Sequence, residues 1–198
     1  GMIASNPLRG ERRAGTVGKP LPGVSVRITN DAGEPVPNGT IGNVEVKGPN
    51  VFQGYWRMPE KTATEFRADG YFITGDLGMF DADGYLRLIG RAKDLIISGG
   101  LNVYPKEVEE ALDAFPGVAE SAVFGIPHPD FGEAVAAAIT LRPGATVDPE
   151  AILATLRTQL AAFKTPKRIF ILDELPRNAM SKVQKAVLRD RYKDAFGN

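Results

Sequence analysis

Three short stretches of this 198-residue chain gather residue types that handle anions and hydroxyl groups. The first is Tyr71-Phe-Ile-Thr-Gly-Asp-Leu-Gly78, in which Asp76 follows Thr-Gly at the end of an apolar strand and so stands on a tight turn. A carboxylate placed there can accept two hydrogen bonds from a ribose diol, as acidic residues do in other nucleotide sites. It can equally satisfy the backbone amides of its own turn. The second stretch is Gly90-Arg-Ala-Lys-Asp94, where Arg91 suits phosphate or ribose, while Lys93 and Asp94 read as the charge of a solvated linker. Ser98-Gly-Gly100 follows closely, offering either bare backbone to a ligand or a bend between a strand and a helix. The third is Pro176-Arg-Asn-Ala-Met-Ser-Lys-Val-Gln-Lys185. Ser181-Lys-Val-Gln184 fits a capping box, which puts Lys182 in the first turn of a final helix. The helix dipole disfavours a cation there, so a structural first turn would prefer Asp or Glu. A lysine beside free helix N–H groups instead makes a seat for an anion.

The elements that must position these residues change character along the chain. Residues 1–20 show no clear period and read as loop. From Pro22 the pattern is β-like: Val24, Val26 and Ile28 alternate with polar residues, and Val44 and Val46 continue the alternation. Pro59 to Ala68 reads as a short helix, and Tyr71 to Ile89 as two strands around the Asp81-Ala-Asp-Gly84 turn. Trp56 and Phe52 read as packing residues. Beyond Gly90, helical and extended patterns mix. Val108, Ala111, Leu112 and Phe115 fall at helical spacing behind Pro105. Strands are predicted at Ser121–Phe124, Ala134–Leu141 and Arg168–Leu172. Asp148-Pro149 is an N-cap followed by proline at the first helical position, ahead of Leu153, Leu156 and Leu160. The expected fold class is α+β: a small β-rich, distorted barrel-like subdomain over residues 1–92, followed by a compact α+β lid domain over residues 93–198.

Composition narrows the chemistry. The chain is 43% hydrophobic and 24% charged, ordinary for a soluble globular protein. With no cysteine, disulfides, thiolate metal sites and Cys nucleophiles are excluded, and the sole histidine, His128 between two prolines, cannot build a histidine metal site. No residue of this chain is predicted to ligate a metal. No run approaches the ~20 apolar residues that span a bilayer, and no signal peptide is read, so the expectation is a cytoplasmic protein without an integral membrane segment. Net charge is zero, yet residues 164–194 hold nine Lys/Arg against four Asp/Glu. A basic tail in a neutral protein suggests an anionic small ligand or a solvated helix face. Nucleic acid is not expected, because the tail lacks interleaved aromatics on which bases would stack. No Gly-x-Gly-x-x-Gly, Walker-type loop or Gly-x-Ser-x-Gly occurs.

Taken in order, Gly42-Asn-Val-Glu-Val-Lys-Gly48 with Gly54-Tyr-Trp56, Ile73-Thr-Gly-Asp76, Gly90-Arg91 through Gly99-Gly100-Leu-Asn-Val-Tyr-Pro105, and Pro176 to Lys182 resemble the adenylate-forming superfamily of acyl-CoA synthetases, adenylation domains and luciferases. The resemblance spans residues from about 15 to 195. Within that group, Val51-Phe-Gln-Gly-Tyr-Trp-Arg-Met-Pro-Glu-Lys61, Phe163-Lys-Thr-Pro-Lys167 and Pro176-Arg-Asn-Ala-Met180 look most like malonyl-CoA synthetases.

The resemblance implies roles. Asp76 resembles the carboxylate that binds the ATP ribose hydroxyls, and Arg91 the arginine that supports it. Lys93 stands at the hinge position. Ser98, Gly99 and Gly100 resemble the stretch that lines the CoA pantetheine tunnel. Lys182 resembles the lysine that reaches the acyl carboxylate and the α-phosphate; the glycine usual before it is Ser181 here, a change the capping box would favour. The implied reaction joins a carboxylate to ATP, giving acyl-AMP and pyrophosphate, and then to CoA. Mg²⁺ would be held by nucleotide phosphates and by residues upstream of residue 1. So read, the chain is the C-terminal fragment of a longer ligase for malonate or another short acid, inactive alone and partnered by a missing N-terminal domain. A medium- or long-chain fatty acid ligase fragment and a non-catalytic module that docks a carrier protein are the competing readings.

Overall fold

The computed structural model describes residues 1–197, which divide into two compact units, one from Gly1 to Lys93 and one from Asp94 onward. In the first unit, β1 (Ala4–Ser5) pairs with β2 (Lys19–Pro20) within the segment whose sequence reads as loop. β3 (Ser25–Thr29), β4 (Gly42–Lys47), β5 (Phe72–Phe80) and β6 (Leu86–Arg91) form an open antiparallel meander in chain order, with α1 (Pro59–Glu65) inserted between β4 and β5. Pro59 occupies the first turn of α1, where its missing N–H costs nothing. Ile28, Val44 and Leu86 are the buried centre of one face, with Val26, Val36 and Phe80 packed around them.

A charged residue is buried on the same strand. Glu45 is 0% exposed, and its carboxylate accepts from Arg27 Nε at 2.8 Å, Arg67 Nε at 2.8 Å and Thr29 Oγ1 at 3.0 Å. Burial alone would push the Glu45 carboxyl up; the hydrogen bonds from Arg67, Arg27 and Thr29 outweigh it and hold the group below its ordinary value. Phe52 packs edge-on against Tyr55, Phe66 and Phe72, although it stays 43% exposed. Trp56 does not pack as expected: it is 84% exposed, next to Arg57 at φ +55°.

In the second unit, β7 (Ile96–Ser98) and β8 (Leu101–Val103) form a hairpin, followed by α2 (Pro105–Asp113), β9 (Val118–His128), β10 (Gly132–Leu141), α3 (Pro149–Gln159), β11 (Arg168–Ile171) and α4 (Lys185–Tyr192). β10 is central: it pairs antiparallel with β9 and β7 and parallel with β11. Its residues alternate between two cores. Val135, Ala137 and Ile139 join Val108 and Leu112 of α2 and Ile152 and Leu156 of α3 on one face. Ala136 and Ala138 join Phe124, Leu175 and Leu188 on the other, which α4 covers. The period of two therefore builds a sheet with helices on both faces, the α+β arrangement that the sequence predicts. α3 starts as expected, with the Asp148 side chain accepting from Glu150 N at 3.0 Å.

Candidate functional site

Two clusters carry the predicted site residues, one in each unit. In the first, β5 does not end at Asp76 but runs on to Phe80, so the tight turn expected there is absent. A bulge does the positioning instead. Across the β4–β5 ladder, Asn43 pairs with Leu77 and Glu45 with Ile73, which leaves Thr74, Gly75 and Asp76 opposite Val44 alone. Gly75 takes φ +73° to make the detour, and Thr74 Oγ1 anchors it by donating to Val44 O at 2.9 Å while accepting from Asp76 N at 3.1 Å. On the other side of β5, Asp76 pairs in register with Arg91 of β6. Arg91 Nε lies 3.1 Å from Asp76 Oδ1, and its Nη1 donates to Thr74 O at 3.2 Å.

Among the described residues, the Asp76 carboxylate takes no backbone N–H, unlike nearby Asp81, whose Oδ1 accepts from both Asp83 and Tyr85. Asp81 is what a turn-satisfying aspartate looks like: the backbone hydrogen bond from Tyr85 leads the effects that hold its carboxyl below the ordinary value. Asp76 keeps its acceptor capacity, with side-chain exposures of 29% for Asp76 and 50% for Arg91 leaving both accessible.

Lys93 is exposed within a single 3₁₀ turn, Ala92–Asp94, and the division between the units falls immediately after it. The stretch from Ser98 to Gly100 is not a bend between strand and helix. Gly99 and Gly100, at φ +58° and +77°, are the two-residue turn of the β7–β8 hairpin, for which a Gly-Gly pair is a recognised signal. Ser98 is buried, while both glycines are exposed.

The Lys182 region departs further from expectation. α4 begins at Lys185 with Gln184 as its N-cap, so Ser181 caps no helix and Lys182 lies outside the first turn. Residues 177–183 form a narrow hairpin closed by an Arg177–Val183 bridge. Ser181 N donates to Asn178 O at 2.9 Å, and Asn178 N donates to Lys182 O at 3.0 Å. Ser181 takes φ +60°, the left-handed position of a three-residue hairpin loop, where an L-residue other than glycine costs about 1 kcal/mol. That backbone requirement, not capping, decides which residue is comfortable before Lys182.

The local count of basic charge is largely neutralised in space. Lys164 pairs with Glu107, Arg177 with Glu120, Lys185 with Glu109, Arg189 with Asp94 and Lys193 with Asp190. Lys167, Arg168 and Arg191 lie over aromatic rings. Lys182 is exposed and makes neither kind of contact among the described residues. The basic tail is therefore mostly internal structure, with Lys182 the exception in its loop. The same residues include no group of three or more His, Cys, Asp or Glu able to hold a metal ion, and no helix long and apolar enough to cross a membrane.

The model of the AMP-binding enzyme family matches residues 1–56, and that of the AMP-binding enzyme C-terminal domain matches residues 107–182. ATP-bound MatB from Rhodopseudomonas palustris superposes with a TM-score of 0.94 at 58% identity, over 98% of this chain and 39% of MatB. Feruloyl-CoA synthase from Amycolatopsis is 42% identical over 97% of this chain, and a malonate–CoA ligase from Arabidopsis thaliana is 43% identical over 95% of it. The chain spans 39% and 32% of the lengths of those two relatives. It belongs to the adenylate-forming, AMP-binding enzyme family, and residues 107–182 carry that family's C-terminal domain.

Proposed function

We propose that the chain supplies the ribose-binding end and the mobile lid of an ATP-dependent acyl-CoA ligase, an AMP-forming acid–thiol ligase. The observation that carries this reading is the Asp76–Arg91 pair, held over a bulge with the carboxylate's acceptor capacity unspent, in a chain 58% identical to an ATP-bound relative. In the first step a substrate carboxylate oxygen attacks the α-phosphorus of ATP and pyrophosphate leaves. Asp76 accepts the ribose hydroxyls, Arg91 holds Asp76 in place, and Lys182 offsets negative charge as carboxylate and phosphate approach. In the second step the CoA sulfur attacks the acyl carbonyl carbon and AMP leaves. Lys93 is the pivot between the two steps, and Ser98, Gly99 and Gly100 line the path of the pantetheine arm. Mg²⁺ accompanies ATP, and no residue of this chain is assigned to it.

For the acid, malonate or another short carboxylate is the favoured reading, supported by the identity to MatB and to a malonate–CoA ligase. Relatives at similar identity are named for ferulate, oxalate and sulfoacetate, so identity alone does not select the acid, and a medium- or long-chain fatty acid ligase fragment is the alternative. A carrier-protein docking module is the reading from another class. The test is pyrophosphate release from ATP across a panel of acids. An enzyme joining this chain, which spans 39% of such a relative's length, to the remaining 61% should release pyrophosphate with malonate, and the 198-residue chain alone should release none. Release by the chain alone would overturn the fragment reading, and silence of the longer enzyme with every acid would overturn the ligase reading.

A further inference from the structure

The hairpin that presents Lys182 is tied down more firmly than a surface loop requires. A serine in the left-handed region persists only when its surroundings over-determine the backbone, and two sets of contacts do so here. Asn178 is the first: its Oδ1 accepts from Met180 N and from Lys182 N, each at 3.0 Å, while its own N–H donates to Lys182 O. The Asn178 side chain thus holds the Lys182 N–H, and the Asn178 backbone holds the Lys182 carbonyl. Arg177 is the second: its Nη1 donates to Ser181 O at 2.6 Å, and its Nη2 donates to Glu120 Oε1 at 2.5 Å and to the other oxygen of the same carboxylate. Glu120 lies on β9, which pairs along its length with the central β10. The loop is therefore tied to the β9–β10 ladder through a half-exposed ion pair, while the Lys182 side chain itself stays exposed and unpaired among the described residues. Rigid backbone beneath a free ammonium is the arrangement an electrostatic catalyst needs, since about 1 Å of misplacement can cost on the order of 10²-fold in rate.

We propose that Asn178, Arg177 and Glu120 are positioning residues for Lys182, which set its backbone for the adenylation step. The inference rests on the catalytic reading of Lys182 given above. It is tested in the full-length enzyme, measuring acyl-AMP formation and CoA transfer from supplied acyl-AMP separately, together with backbone hydrogen exchange of residues 178–183 in the 198-residue chain. Asn178→Ala should speed exchange of the Lys182 amide and lower kcat for adenylation by about 10- to 100-fold, with KM for ATP little changed and CoA transfer preserved. Asn178→Asp, which keeps an acceptor oxygen in the same place, should restore most of the rate. Arg177→Lys should resemble Arg177→Ala, because an ammonium lacks the fork needed to bridge Ser181 O and Glu120. If exchange speeds up while adenylation stays within about twofold, and Lys182→Ala still cripples it, positioning is refuted and the ligase reading stands. Equal damage to both half-reactions without rescue by Asn178→Asp would mark the loop as merely structural and also refute it. If Lys182→Ala leaves adenylation intact, the underlying reading fails and takes this inference with it.

Discussion

Replacing Glu45 by Gln should destabilise the first unit by about 2–3 kcal/mol, and the size follows from what the carboxylate holds. Glu45 Oε2 accepts from Arg27, and Oε1 accepts from both Arg67 and Thr29. A glutamine can keep its oxygen toward Arg67 and Thr29, but its amide then faces the Arg27 N–H, donor against donor. Removing one partner of a fully buried pair costs about 3–5 kcal/mol. The figure is reduced here because the arginine side chains are 22% and 31% exposed, and because Arg27 retains Asp69 at 2.6 Å. Hydrogen exchange of β3 and β4 amides reads the change locally, and 2–3 kcal/mol corresponds to about 30- to 150-fold faster exchange by local or unit-wide opening. The pH dependence has a definite sign. The folded Glu45 carboxyl is held below its ordinary value of 4.5, so its contribution is complete above about 4.5 and is lost as pH falls through the lower folded value. The difference between wild type and Glu45→Gln, followed by urea unfolding, should therefore shrink below pH 4.5. A difference under about 0.5 kcal/mol at neutral pH, or one unchanged at pH ~3, would refute the claim that the charge of Glu45 organises this network.

Two further outcomes follow from the second unit and from the boundary. Lys185 lies 2.6 Å from Glu109, with both side chains about four-fifths buried, and Glu109 also accepts the Val123 N–H on the outer edge of β9. Lys185→Ala should lower the urea stability of the chain by about 1–2 kcal/mol while Lys182→Ala leaves it unchanged; equal shifts would contradict this. Lys93→Pro in the full-length enzyme disfavours the helical backbone of Ala92 just before it. Acyl-AMP formation should survive and CoA transfer collapse, whereas equal loss of both would place the pivot elsewhere.

What the sequence revealed of fold and site depended on how local each signal was. Asp148-Pro149 opened α3 as expected because an N-cap and a first-turn proline act within three residues. β10 was expected over Ala134–Leu141 and runs from Gly132 to Leu141, but its alternation between two cores shows only in the packing, because both faces are apolar. β8 was missed because three residues after Gly99-Gly100 are too short to show a period, although the Gly-Gly pair was itself the hairpin signal. Ser181 misled because serine is a preferred N-cap and is disfavoured in a left-handed turn, so only the Arg177–Val183 bridge and the backbone at φ +60° reveal that turn. The basic tail misled for a different reason: counting charge along the chain cannot see Glu120, 57 residues from Arg177, or Asp94, 95 residues from Arg189. Asp76 and Arg91 were both legible as residues, but the bulge that joins them depends on pairing with β4, which no local pattern reports.

The role of Lys182 is tested most directly by dividing the reaction in two. In the full-length enzyme, Lys182→Ala should slow acyl-AMP formation from acid and ATP by about 10²–10³-fold, the usual cost of losing a preorganised donor. Transfer to CoA from supplied acyl-AMP should continue near the wild-type rate. Arg191→Ala removes an exposed charge from the same segment without breaking an ion pair, and should leave both half-reactions near wild type. If Lys182→Ala and Arg191→Ala have the same small effect, or if Lys182→Ala slows both half-reactions equally, Lys182 is part of a solvated basic surface and not the adenylation lysine.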